Sequence, residues 1–308
     1  MADAASQLAE VERIHDDDPA RGLAVLRAIR PIELDGDEVR SYLFFCAHVQ
    51  GELCGDWTAA HEMATAALAT QPEPSLPALR HAGVAAEMAQ DRAALDSLCR
   101  RIAKAGEVSF ATARSVVQLH AMSMHVRAIG CERAAASSLE FLDRSGVDSD
   151  PESKLDAGFG AGFNNLTNAL LQALPATGPT AVQRKAINRC AQASRHFWLR
   201  AGTWVNHQIA EYVIAHAHNL LGEPAPAAEA ARRGLAIIDG NATAENLAAI
   251  DRAFLLMELA IAQKACGDPA FRTSHNDAGA LAAGFEDAAV RSDFANHVSR
   301  LHSGSIAG

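Results

Sequence analysis

The chain carries 13 histidines in 308 residues, so metal coordination is the first chemistry to test. Two ligands on one helix must share a face, which needs i, i+4 spacing. His216 and His218 stand about 200° apart around a helix, and His120 and His125 about 140° apart. Neither pair fits. His207 and Glu211 do share a face, and His218 extends their stripe. It lies about 16 Å along the axis from His207, so one helix cannot bring all three to one ion. Only a site built across helices stays open. The spacing predicts no metal centre, and no cofactor is implied.

Other short motifs give structural readings. Gly158, Gly160 and Gly162 form a G-x-G-x-G run, but a dinucleotide loop follows a strand and opens a helix. Here the run lies inside a helical pattern with Phe159 and Phe163 at i, i+4, which reads as close helix packing. Asp16, Asp17 and Asp18 read as a helix start, where negative charge meets the positive end of the helix dipole. They lack the alternating spacing and glycine of a calcium loop. There is no nucleophile elbow, phosphate loop or H-E-x-x-H. The balance leans away from an enzyme.

The informative polar residues sit at inward positions of the longer helices. Asn165, Asn168 and Gln172 form a stripe at i, i+3 and i+7, and amides inside a helix need partners. Counting back from the glycine that closes each helix gives His120, Met124 and Arg127 on 108–129. The same count gives Tyr212, His216 and Asn219 on 203–221, and Phe254, Met257 and Lys264 on 243–266. Arg127 can grip a carboxylate by two parallel hydrogen bonds, and Tyr212 offers apolar area with a polar tip. Two readings stand: a groove whose amides bind a ligand, or amides that bond neighbouring helices and water.

The elements that must position these residues are helices. The chain is 49% hydrophobic, enough for a core. It is rich in alanine, the best helix former, and shows no alternating strand pattern. Helix punctuation recurs. Asp18-Pro19 joins an N-cap to a first-turn proline. Gly55-Asp56-Trp57 closes one helix and caps the next; Gly130-Cys131-Glu132, Gly222-Glu223-Pro224 and Gly267-Asp268-Pro269 repeat the theme, and Gln90-Asp91 does so without glycine. Between these marks, apolar residues recur at i, i+3, i+4 and i+7. The pattern predicts helical hairpins at 4–15 with 18–30, 37–53 with 56–70, 75–88 with 91–104, and 108–129 with 131–145. Further hairpins follow at 151–174 with 180–201, 203–221 with 224–238, and 243–266 with 269–284, and then a last helix at 286–302. The loops are short, so one continuous domain, 1–308, is expected.

Charge and cysteines narrow the setting. With 27 Lys+Arg against 37 Asp+Glu, the net charge is −10, which argues against a nucleic-acid partner. The six cysteines form no C-x-x-C pair, so reduced thiols and a cytoplasmic location are expected. Met1–His15 shows no cationic segment followed by an apolar one, so no secretory signal is expected. Apolar runs such as Tyr42–Ala47 are too short to span a bilayer, and no membrane partner is expected.

The helices recur at roughly 35–45 residues, a repeat period. Gly55-Asp56-Trp57-Thr58-Ala59-Ala60, followed by Ala64, Ala67 and Leu68, resembles the tetratricopeptide repeat (TPR). Gly222-Glu223-Pro224-Ala225-Pro226-Ala227, followed by Ala231, Gly234 and Leu235, resembles it too, as does Asp18-Pro19 with Gly22, Leu26 and Ile29. Small residues at these places let paired helices approach closely. The resemblance implies an all-α, right-handed α-α superhelix of about seven hairpins plus a C-terminal capping helix. It also implies a concave surface lined by the first helix of each pair. The expectation is a TPR-like binding module that engages a peptide, a partner protein or a carboxylate-bearing ligand. Its groove would be lined by His120, Met124, Arg127, Asn165, Asn168, Gln172, Tyr212, His216 and Asn219. The alternative is a small-molecule sensor or enzyme with a polar pocket near His120, Asn165, Tyr212 and His216. A third class is a structural subunit that self-associates as a homodimer.

Overall fold

The computed structural model describes residues 3–145, 152–241 and 247–303, and within them the regular elements are all helical. Fifteen α-helices follow in chain order. They are α1 (Ala4–Ile14), α2 (Pro19–Ala28), α3 (Gly36–Phe45), α4 (Trp57–Ala69), α5 (Leu76–Met88), α6 (Arg92–Gly106), α7 (Phe110–Ile129) and α8 (Cys131–Ser145). Then come α9 (Asp156–Gln172), α10 (Ala181–Ala201), α11 (Trp204–Leu220), α12 (Pro224–Asn241), α13 (Leu247–Ala265), α14 (Phe271–Ala282) and α15 (Ala288–Ser303). Consecutive helices pack on one another, as α1 does on α2, α11 on α12 and α13 on α14.

The boundaries follow from the cap chemistry. The side chains of Asp18, Asp56 and Asp91 each accept a hydrogen bond from the backbone N–H three residues on, all at 3.0 Å. Each satisfies a donor that the first helical turn would leave orphaned. Gly55 ends the preceding helical stretch at φ +76°, a left-handed conformation that suits glycine. Gln90 does the same job at φ +62° with a side chain attached.

One stretch departs from the expected α-helix over 37–53. The chain is α-helical to Phe45 and then winds as a π-helix from Cys46 to Leu53. The Cys54 N–H donates to the Val49 carbonyl, five residues back, at 3.0 Å. Gly51 in this stretch lies against the Trp57 ring, where a Cβ would come within 2.4 Å.

The described residues group into two compact units. One takes in those up to His125 together with 152–158; the other takes in 126–145 and those from Phe159 onward. Glycines of the G-x-G-x-G run serve packing in each. In the first unit a Cβ at Gly158 would meet Arg80 at 3.0 Å, and in the second a Cβ at Gly160 would meet the Trp198 ring at 2.8 Å. The second unit has an alanine-rich core, with Ala215, Ala227, Ala230 and Ala231 packed around Ile214 and Leu255. An aromatic group of Phe254, Phe285 and Phe294 seats α15 against α13. Among the described residues, no helix is long and apolar enough to cross a membrane.

Candidate functional site

Glu258 sits in the most apolar stretch of α13, between Met257 and Leu259, and is 0% exposed. A carboxylate buried there without partners would cost several kcal/mol. Its partners come from two other helices. From α11, His216 places Nδ1 2.8 Å from Oε1, and the Asn219 amide donates to Oε2 at 2.7 Å. The same amide donates to the Glu258 main-chain carbonyl at 2.9 Å, tying α11 to α13 twice. From α15, His297 places Nε2 3.2 Å from Oε1, and the Arg300 guanidinium lies 3.9 Å from that oxygen.

A second layer holds the imidazoles. His297 donates Nδ1–H to the Asp293 carbonyl at 2.9 Å, since a carbonyl can only accept. Its Nε2 also lies 3.0 Å from the Tyr212 hydroxyl. Tyr212 stacks on His216 at 5.8 Å, and Phe254 meets His297 edge-on at 5.0 Å. Burial alone would push the Glu258 carboxyl up. The neighbouring His216 and His297 outweigh that through charge and hydrogen bonds, and hold it well below the usual carboxylate range. Burial pushes the Tyr212 phenol well up, and the Glu258 charge adds to the effect. This tyrosine therefore stays a neutral hydroxyl, not a phenolate.

Above this network opens a cavity of about 310 Å³. Its polar lining comes from the amides of Asn168, Gln172 and Asn296, the charges of Asp293 and Arg300, and the imidazoles of His216 and His297; Leu171 and Leu220 supply apolar wall. The α15 contribution is a single stripe, Asp293, Asn296, His297 and Arg300, at i, i+3, i+4 and i+7. The arrangement combines a guanidinium for an anion, amides for neutral polar groups and imidazoles held from below by the Glu258 carboxylate.

The residues singled out from sequence divide between the two units. Asn168, Gln172, Tyr212, His216 and Asn219 come together at or beneath this cavity. Asn165 is exposed on α9 and does not line it, and Arg127 is exposed in the last turn of α7. His120 and Met124 are buried in the first unit. His120 is satisfied there by the Gly158 carbonyl, 2.9 Å from Nε2, and its pKa is pushed well down by burial and then by the Arg80 charge. A buried imidazole bonded to backbone lines no open groove. His207 and Glu211 likewise take separate partners: His207 meets the Trp198 carbonyl at 3.0 Å, while Glu211 binds Arg195 at 2.6 Å and Arg233 at 2.8 Å.

Sequence reasoning missed Glu258, Asp293, Asn296, His297 and Arg300. Two signals pointed to them. One was a lone acid in the run Leu255–Ala262, which demands a buried partner. The other was the four-residue polar stripe on the last helix. Among known proteins the chain matches no family model, and no curated protein is similar to it in sequence.

Proposed function

We propose that the chain is a TPR-like helical-repeat binding protein whose second unit holds a small, polar, carboxylate-bearing ligand in the cavity between α9, α11 and α15. The repeat reading is supported by the turn residues at Gly55 and Gly222, the paired helices, and the full burial of Ala60 and Ala67. The ligand reading rests on one observation above others: Arg300 and two imidazoles face a cavity of about 310 Å³ whose polar wall is otherwise amides. That volume suits a metabolite or the end of a peptide better than an extended segment. Arg300 can pair with the carboxylate as a planar fork, and the amides can bond its neutral polar groups. The Glu258–His216 pair is also the orienting half of an acid–base machine. Among the described residues, however, no serine, threonine or cysteine is hydrogen-bonded to His216, and binding is the better-supported role.

The test is a titration of isotope-labelled protein with succinate and with the tripeptide Gly-Gly-Gly, followed by amide and imidazole resonances. Shifts confined to α9, α11 and α15, lost in Arg300→Gln, support the reading. Saturating probe that moves no resonance in those helices rejects it.

A further inference from the structure

We propose that His15, Asp16 and His48, in the first unit, form a site for one zinc-type divalent cation. The three come together where α1 ends at Ile14 and the chain turns into the Asp18 cap of α2, opposite the π-helical segment that carries His48. The two imidazoles are largely enclosed, with side chains 12% and 19% exposed. Their rings meet edge-on at 5.2 Å, held by Phe45 against His15 and Phe44 against His48.

The argument turns on where the protons are. Nδ1 of His15 lies 3.1 Å from the Val11 carbonyl and 2.9 Å from the Glu12 carbonyl. Carbonyls only accept, so Nδ1 carries the hydrogen. Nδ1 of His48 lies 2.8 Å from a Glu52 carboxylate oxygen, and the same logic applies. In the neutral rings both Nε2 atoms then hold lone pairs. Both lie beside the same oxygen, Oδ1 of Asp16, at 3.4 and 3.7 Å. Two lone pairs beside a carboxylate oxygen repel unless a cation lies among them. Separations of 3.4 and 3.7 Å are long for N–H···O bonds from protonated rings. They fit the edges of a ligand tetrahedron, about 3.4 Å for bonds of about 2.1 Å. All three ligand atoms lie within 4.8 Å of one another. Asp16 is 80% exposed, so the fourth position opens to water. Backbone carbonyls on one histidine and a carboxylate on the other are the outer partners that orient metal-binding imidazoles.

The similar trio His216, Glu258 and His297 is a poorer host. There the Arg300 guanidinium already lies 3.1 Å from His216 Nδ1, and Tyr212 and Asn219 satisfy the remaining groups. That trio therefore serves as an internal control.

The experiment is calorimetric titration of tag-free protein with Zn²⁺ alone, repeated with Co²⁺ under visible spectroscopy. One zinc per chain is expected, with the intense cobalt bands of a four-coordinate site. Binding should vanish in His48→Gln and persist in His297→Gln. Glu52→Gln should weaken it about 10–100-fold. Asp16→Asn changes only an exposed side chain and should weaken binding while far-UV circular dichroism stays unchanged. Failure to bind one zinc, binding that survives in the doubly substituted His15→Gln, His48→Gln protein, or a weak six-coordinate cobalt spectrum would overturn the proposal.

Discussion

Deleting the Glu258 carboxylate would leave two imidazoles and a guanidinium facing a buried void. Breaking such a buried group by removing one partner costs about 3–5 kcal/mol, and Glu258→Ala should lower the stability seen in urea denaturation by that order. The acid dependence has a definite sign. The folded pKa of Glu258 lies below its ordinary 4.5, so the unfolded chain takes up the proton first as pH falls. Its stabilisation is complete above about pH 4.5 and is lost below that, as pH descends through the depressed folded value. Urea midpoints measured downward from about pH 6 should show this loss in the wild type, and the part due to Glu258 should be absent in Glu258→Gln. Gln90 carries the opposite kind of signal. Its left-handed φ of +62° costs a side-chain-bearing residue about 1–2 kcal/mol, so Gln90→Gly should leave stability unchanged or raise it by up to about 1 kcal/mol. Sequence showed the turn at Gln90 because Asp91 caps the next helix. It did not show the role of Glu258, whose α11 partners lie 39 and 42 residues away. Spacing within one helix is blind to pairings that the stacking of three helices creates.

Helices were the readable layer because their ends are local chemistry. Each cap at Asp18, Asp56 and Asp91 needs only the next three residues, so each could be placed from sequence to within a residue or two. What escaped was the winding inside an element. The apolar pattern over 37–53 fits either an α- or a π-helix, and the choice involves Gly51 facing the Trp57 ring, a contact between neighbouring elements. Small residues at helix contacts were readable for the same reason the caps were. Ala60 and Ala67 recur at i, i+7 and are both 0% exposed. Replacing Ala60 with Leu adds three carbons where there is no space, and should destabilise by about 1–3 kcal/mol. A thermal or urea midpoint equal to wild type would mean that α4 can move aside, which the burial of both alanines argues against.

On the scale of the whole molecule, composition carried no sign of two units, because their division falls inside helices and not at a linker. Residues of α7 belong to one unit up to His125 and to the other from Val126, and α9 divides between Gly158 and Phe159. No proline-, glycine- or serine-rich stretch marks the first point, and the second falls within the Gly158, Gly160, Gly162 run, whose glycines read as helix packing and not as a linker. The division still has a measurable consequence. Tyr212, His216, Asn219, Glu258, His297 and Arg300 all lie in the second unit, so the polar network that Glu258 anchors stabilises helices of that unit alone. Opening free energies in a native protein vary by cooperative region, and a local loss is read first where the contacts were lost. In Glu258→Ala, native-state hydrogen exchange should therefore accelerate at the central amides of α11, α13 and α15. Amides of α3, α5 and α6, whose cores contain none of those residues, should keep their wild-type rates. An equal acceleration in both sets would mean that the chain opens as one cooperative body, with α7 and α9 transmitting the loss along their length.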